Sequence, residues 1–154
     1  MHVVFVCTGN TCRSAMAEAI ARRAITERGL ADVTVSSAGT SAWDGAPASD
    51  GALLVGLERK LDLAAHRAHA LGPEIVERAT LLLAMGPHHL ERIAALGGTA
   101  KAQLLTDFAE ASSAGRAISD PFGGGLDVYR ATADELDRLI GLALDRLATP
   151  PASA

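Results

Sequence analysis

Short apolar runs alternate along the chain with longer stretches in which apolar residues recur every three or four positions. The nearly continuous apolar runs at 3–6 and 79–85 are typical of strands buried on both faces. Further strands are predicted at 32–37, where valines alternate with polar residues, and at 102–105. The helical periodicity predicts helices over 14–28, 47–61, 87–97 and 128–147, a short helix from Pro73, and a long loop at 107–125.

This alternation of strands and helices predicts an α/β fold. Parallel strands need helical crossovers, which cover both faces of the sheet. We therefore expect a single three-layer domain over 1–148, with a central four-stranded parallel sheet flanked by helices, and a flexible tail over 149–154. Right-handed crossovers should bring the first strand near the centre, and ligands should bind where the strands end.

Composition narrows the classes of partner. Hydrophobic residues make up 49% of the 154 residues, and the formal net charge is −4, so a nucleic-acid partner is not expected. No apolar run reaches the length of a membrane span, and the chain starts directly in a predicted strand. We expect a cytoplasmic monomer that does not contact a membrane.

The loop after the first strand holds the most unusual chemistry of the chain. Residues 7–14 are Cys-Thr-Gly-Asn-Thr-Cys-Arg-Ser, and a helix follows at once. A short turn between a strand and a helix directs main-chain N–H groups inwards beside the positive helix end, and such a loop binds anions. Gly9 and Asn10 tolerate left-handed backbone, and the Arg13 guanidinium matches two phosphate oxygens. This positive field favours Cys7 as a thiolate, a nucleophile aimed at phosphorus.

Residues 7–14, together with a late Asp120-Pro121, resemble the low-molecular-weight protein-tyrosine-phosphatase family over about residues 3–147. The resemblance implies that the loop, called the phosphate loop below, follows strand one and that Cys7 becomes a phosphocysteine. Arg13 would stabilise the transition-state charge, and Asp120 would be the general acid. Without the resemblance, an aspartate before proline indicates only a turn. No cofactor or metal is expected, because the mechanism needs none and the five histidines form no ligand-spaced cluster.

Further residues are assigned to the same site. Ser14 is expected to hydrogen-bond the Cys7 thiolate, Ser37 is implied by the resemblance to bond Asn10, and His69 or His66 is expected to brace this network. The predicted phosphate- and substrate-binding residues are Thr8, Gly9, Asn10, Thr11, Cys12, Ser14, Trp43 and Phe122.

The aromatic residues and Cys12 are assigned to the site for different reasons. Trp43 and Phe122 are expected to be walls of the substrate cleft, because both lie in loops of a chain with only 3% aromatic residues. Cys12 is implied by the resemblance to form a reversible disulfide with Cys7 that protects the nucleophile. The alternative for Cys12 is a packed thiol.

Two positions favour phosphoarginine over phosphotyrosine as the substrate group. Tyrosine-directed family members usually carry a larger aliphatic residue at the position of Thr11 and often an aromatic pair after Asp-Pro. Here the sequence is Thr11 and Asp120-Pro121-Phe122-Gly123, which resembles the bacterial protein-arginine-phosphatase branch. A threonine hydroxyl can accept a guanidinium hydrogen bond, whereas an unpaired buried donor costs about 1–3 kcal/mol.

Three other functions compete with this hypothesis. A protein tyrosine phosphatase with the same mechanism is the main alternative. An arsenate reductase of this fold would need further cysteines to relay the disulfide, and none follows Cys12. A non-catalytic phosphate-binding module is expected to have lost the nucleophile or the acid, and Cys7 and Asp120 are both present.

Overall fold

The computed structural model describes residues 1–111 and 115–148 and has the predicted α/β architecture. Its strands and helices, in chain order, are β1 His2–Cys7, α1 Arg13–Arg28, β2 Thr34–Gly39, α2 Asp50–Arg59, α3 Pro73–Arg78, β3 Leu81–Ala84, α4 Pro87–Ala95, β4 Ala102–Leu104, α5 Leu105–Glu110 and α6 Leu126–Ala148. The four strands are parallel and lie in the order β2-β1-β3-β4, so β1 is internal as predicted.

Strand β1 separates two hydrophobic cores. Val3, Phe5 and Cys7 face a large core shared with α1, α2 and α6, while Val4 and Val6 face a smaller one shared with α3 and α4. Both faces are covered, which explains why β1 has no polar alternation. Helix α1 ends at Gly29, which has a left-handed φ of 67°, as its position after Arg28 predicts.

The structure differs from the sequence prediction in two helices. The helix predicted from Pro47 begins only at Asp50, because Ser49 caps it by accepting a hydrogen bond from the Ala52 main-chain N–H. The prediction of a loop over 107–125 is also wrong at its start, because its first residues belong to α5, which continues to Glu110. Leu105 and Phe108 of α5 pack in the large core, and this i, i+3 pair was the signal for a helix.

The remaining boundaries shift by a few residues only. The predicted tail at 149–154 lies outside the described residues. Within the described part of the chain, the model contains no helix with the length and apolarity needed to cross a bilayer.

Candidate active site

A cavity of about 200 Å³ lies at the carboxyl end of β1. It is lined by Cys7, Thr8, Gly9, Thr11, Cys12, Arg13, Asp120 and Phe122. The first six come from the phosphate loop, residues 7–14, and the last two come from the segment before α6. The topology therefore unites residues more than a hundred positions apart in the sequence, at the edge of the sheet where the parallel fold predicts a ligand.

Cys7 lines this cavity at the end of β1. The residue is 2% exposed, and its Sγ is 2.8 Å from the Ser14 hydroxyl oxygen. This contact was predicted from the sequence. Ser14 is fully buried in the first turn of α1, so its hydroxyl is held in place and can donate to a thiolate. The N-terminal end of α1 adds a positive partial charge beside the sulfur.

Asn10 organises the phosphate loop from within. It is completely buried and has a left-handed φ of 58°. Its amide nitrogen donates to the hydroxyls of Ser14 at 2.8 Å and Ser37 at 2.9 Å. Ser37 in turn donates to a Glu18 carboxylate oxygen at 2.7 Å. A chain of hydrogen bonds thus runs from Glu18 through Asn10 to the serine that contacts Cys7, and it holds the left-handed residue in place.

The two candidate histidines both contact Asn10, but His66 does so with its side chain and His69 with its main chain. The side chain of His66 is buried, and its Nε2 lies 2.7 Å from the Asn10 carbonyl oxygen. His69 is exposed and contributes its main-chain N–H, which donates to Asn10 Oδ1 at 2.9 Å. A main-chain contact does not depend on residue type, so sequence alone could not separate the two histidines.

The end of β2 supports the outside of the phosphate loop. Thr40 and Ser41 donate main-chain N–H groups to the carbonyls of Cys7 and Thr8, both at 2.9 Å. A Cβ atom at Gly39 would lie only 2.4 Å from the Thr8 carbonyl oxygen. Glycine is therefore required at position 39 for the strand to approach the loop this closely.

Arg13 connects the phosphate loop to the segment that carries Asp120. Its Nη1 donates to the Ile118 carbonyl at 3.1 Å, and its Nη2 lies 3.5 Å from Asp120 Oδ2. The Nε of Arg13 is buried and has no hydrogen-bond partner among the described residues. An unpaired buried donor is costly, so the guanidinium is arranged to bind an anion held in the loop.

The acid loop, residues 118–125, is far more open than the phosphate loop. The Asp120 side chain is 51% exposed, and its Oδ1 accepts the main-chain N–H of Phe122 at 3.1 Å. The Phe122 ring is 73% exposed and forms one wall of the cavity. Trp43 is not among the lining residues and is 85% exposed, so the structure does not place it as a wall of this cavity.

A buried histidine that no sequence pattern predicted lies behind the phosphate loop. His89 in α4 is fully buried, and its Nε2 lies 2.9 Å from the Thr8 hydroxyl. Its Nδ1 has no partner among the described residues. Burial, followed by the positive charges of His88 and Arg13, lowers the pKa of His89 to about 3. His89 is therefore a neutral imidazole that holds Thr8, and no sequence motif signals this contact.

A second missed cluster surrounds Cys12. The Cys12 sulfur lies 3.1 Å from the Ser49 hydroxyl and 3.4 Å from the Tyr129 hydroxyl. Burial and the bond to Cys12 raise the pKa of Tyr129, so its phenol remains protonated and able to donate. Both cysteines are free thiols in the structure. Within residues 1–111 and 115–148, no group of three ligating side chains is placed to hold a metal ion.

Comparison with known proteins agrees with this geometry. A family model described as low molecular weight phosphotyrosine protein phosphatase matches residues 2–150. The chain is 41% identical over 148 residues to a protein-arginine-phosphatase of Geobacillus stearothermophilus, covering 96% of this chain and 97% of that one. It is 34% identical over 145 residues to the low molecular weight protein-tyrosine-phosphatase PtpB of Staphylococcus haemolyticus, covering 92% and 96%.

Among solved structures, the chain resembles that of a YwlE arginine phosphatase C7S mutant with a phosphorylated active site serine. The two share 37% sequence identity and superpose with a TM-score of 0.90 over 98% of each chain.

Proposed function

The chain belongs to the low molecular weight phosphotyrosine protein phosphatase family, and we propose that it hydrolyses phosphoarginine residues on proteins through a phosphocysteine intermediate. The observation that carries this proposal is that Cys7, Arg13 and Asp120, from two separate segments, line one cavity. That cavity supplies a nucleophile, a charge stabiliser and a proton donor for one reaction centre. Phosphorylated proteins are the substrates, and no cofactor takes part.

In the first step the Cys7 thiolate attacks phosphorus. An S–P bond forms, the P–N bond to the arginine guanidine breaks, and its electron pair stays on the nitrogen. Asp120, as the acid, gives that nitrogen a proton. The loop N–H groups and Arg13 bind the phosphoryl oxygens, and the buried Arg13 Nε gains an acceptor that it lacks among the described residues. When a phosphoryl group occupies the loop, Arg13 binds that group in place of Asp120. The Asp120 carboxyl is then available to the departing nitrogen.

The second step returns the enzyme to its starting state. Asp120, now a carboxylate, takes a proton from water while the water oxygen attacks phosphorus. An O–P bond forms, the S–P bond breaks, and Cys7 leaves as a thiolate. The Ser14 hydroxyl at 2.8 Å stabilises this leaving thiolate by donating to it.

The choice of arginine rests on Thr11. Its side chain is half-buried and lines the cavity, where its hydroxyl can accept a hydrogen bond from a substrate guanidinium. Phosphotyrosine has no N–H to satisfy that oxygen. The Asp120 carboxylate, also on the cavity wall, suits the cationic product as well. The identity to a protein-arginine-phosphatase over nearly the full length supports the same substrate.

The decisive experiment compares two peptides of one sequence that differ only in the phosphorylated residue. We expect kcat/KM to be at least about tenfold higher for phosphoarginine than for phosphotyrosine. A clear preference for phosphotyrosine would instead establish the alternative, a protein tyrosine phosphatase with the same steps, which the relationship to PtpB favours.

A variant at Thr11 tests the reason for the preference. Thr11→Ile removes the hydroxyl, fills its space with an aliphatic chain, and should shift the ratio of the two kcat/KM values about tenfold towards phosphotyrosine. Thr11→Ser keeps the hydroxyl and is the matched control, which should leave the ratio nearly unchanged. If Thr11→Ile leaves the ratio as it was, Thr11 does not determine specificity.

The proposed nucleophile must stay reduced, so we propose that the protein acts in the reducing cytoplasm. That it acts there as a monomer is a separate part of the proposal. We also propose that peroxide converts Cys7 and Cys12 into a disulfide that a thiol reductant reverses. Peroxide-treated protein should regain activity with reductant, and Cys12→Ser should regain much less. Equal recovery of the two proteins would exclude the protective disulfide.

A further inference from the structure

A second cavity, of about 400 Å³, opens beside the first. It lies between α2, the glycines of the acid loop and the start of α6. Among its lining residues are Ser49, Asp50, Leu54, Phe122, Leu126 and Tyr129, and we call it the flanking groove. None of the steps above uses it.

The flanking groove adjoins the catalytic cavity. Phe122 lines both, so its ring is a wall that the two share. The main-chain N–H of Ser49 donates to the Thr11 carbonyl at 2.9 Å, and the Ser49 hydroxyl contacts Cys12. The phosphate loop therefore lines the catalytic cavity, and Ser49, which is hydrogen-bonded to that loop, lines the flanking groove. A polypeptide with one side chain in the catalytic cavity would place its neighbouring residues over the groove.

The floor of the groove is built by close packing. The Tyr129 ring lies against Gly51 of α2, where a Cβ atom would approach the ring to 2.4 Å. Tyr129 is 5% exposed, and its hydroxyl is already occupied by Cys12 and Ser49. The part of Tyr129 that reaches the groove is therefore small, and its hydroxyl already has hydrogen-bond partners.

The walls of the groove are apolar and its rim is acidic. Leu54 is 49% exposed although it belongs to a helix that packs in the core, and Phe122 faces it from the acid loop. Exposed apolar side chains gathered around a concavity are typical of an interaction site. Asp50 at the rim is exposed and has no charged partner among the described residues, so the groove disfavours an acidic occupant.

We propose that the flanking groove binds an apolar side chain of the substrate protein next to the phosphorylated residue, and that Asp50 selects against acidic neighbours. This inference rests on the proposed function, because it needs a phosphorylated polypeptide in the catalytic cavity. It defines a preferred substrate segment, in which an uncharged apolar residue flanks the phosphorylated residue.

The test uses phosphopeptides with leucine or glutamate beside the phosphorylated residue, together with p-nitrophenyl phosphate, which has no flanking residue. Wild type should prefer the leucine peptide. Leu54→Asp should lower kcat/KM for that peptide about tenfold through KM and leave p-nitrophenyl phosphate hydrolysis within about twofold. Asp50→Asn should reduce the discrimination against glutamate.

The matched control is Leu57→Asp, since Leu57 is 76% exposed on the same helix but does not line the groove. It should leave all three substrates unaffected. The proposal is overturned if Leu54→Asp and Leu57→Asp behave alike, or if Leu54→Asp affects the small substrate as much as the peptide. Failure of the proposed function has a different signature, because wild type would then hydrolyse neither phosphoarginine peptide, whatever its flanking residue, although a protein tyrosine phosphatase would still hydrolyse p-nitrophenyl phosphate.

Discussion

The phosphate loop and the acid loop face each other across one cavity, yet they are built in opposite ways. Asn10 and Ser14 of the phosphate loop are wholly buried and hydrogen-bonded, and strand β2 supports the loop from outside. The acid loop exposes Asp120 and Phe122 and contains three consecutive glycines. It is anchored at Ile118, whose N–H donates to the Met85 carbonyl and whose carbonyl accepts from Arg13.

This difference matches two chemical tasks. Charge stabilisation works best when donors are fixed before the charge develops, because no reorganisation is then needed during the reaction. A proton donor must also allow substrates to enter and products to leave, and such segments have few buried contacts. The phosphate loop should therefore tolerate few substitutions structurally, while the acid loop should tolerate many structurally and few catalytically.

The largest effect should come from the nucleophile. Cys7→Ser should lower turnover at least about 10⁴-fold, because a hydroxyl is a much weaker nucleophile than a thiolate, while inorganic phosphate still binds to the intact loop. Steady-state kinetics and calorimetric phosphate titration measure the two properties. Cys12→Ser is the control and should retain turnover within a few-fold. Substantial turnover in Cys7→Ser would rule out covalent catalysis through Cys7.

Removing the acid should give the next largest effect. Asp120→Asn should lower kcat about 10²- to 10³-fold with little change in KM, because proton donation is lost and binding is kept. Its free energy of unfolding should change by less than about 0.5 kcal/mol, since the side chain is exposed. Asp127→Asn, an exposed carboxylate nearby in sequence, should leave kcat unchanged. Equal losses in the two variants would mean that Asp120 is not the proton donor.

Much of the phosphate loop was predictable from sequence because a local motif determines it. The strand, the glycine-asparagine turn, the arginine and the helix are consecutive, so residues 7–14 specify both their own shape and their chemistry. The proposal that Asp120 is the acid came only from a second motif, Asp120-Pro121, since nothing local in the sequence links Asp120 to Cys7.

Two contacts between distant elements were not predictable from the sequence. Neither His89 on Thr8 nor Tyr129 on Cys12 has a local signal, because these contacts depend on how α4 packs against β3 and β4 and how α6 packs against α1 and α2. Trp43 stays a prediction, because its loop follows β2 at this end of the sheet but the ring does not line the cavity in this structure. Single-sequence patterns identify elements and motifs, whereas tertiary packing decides which side chains support them.

A substitution at Asn10 tests whether the phosphate loop contributes more to stability than the acid loop does. Asn10→Ala should lower the free energy of unfolding by about 2–4 kcal/mol, because it removes buried hydrogen bonds and leaves a β-carbon residue with left-handed φ. Phe122→Ala in the acid loop should change it by less than about 0.5 kcal/mol, because the ring is exposed. Urea denaturation of both variants measures this. Similar losses would show that the two loops are equally integrated into the fold.

The smallest predicted effect is the pH dependence of stability that arises from His89, which holds Thr8 of the phosphate loop. The pKa of His89 in the folded protein is about 3, below the unfolded value of about 6.5. Above pH 6.5 the residue is neutral in both states and stability is fully present. As pH falls towards 3, only the unfolded chain gains the proton, so stability should fall by about 1 kcal/mol per pH unit.

Urea unfolding of wild type and His89→Gln at pH 7 and pH 5 separates this contribution from other titrating groups. The glutamine can still hydrogen-bond the Thr8 hydroxyl but cannot titrate, so His89→Gln should lose less stability over that interval than wild type. His88→Gln removes the exposed neighbouring imidazole instead and should keep most of the wild-type dependence. The outcome against this prediction is that stability changes equally with pH in His89→Gln and wild type. Protons would then reach His89 freely in the folded state, and the structure behind Thr8 would be as open as the acid loop.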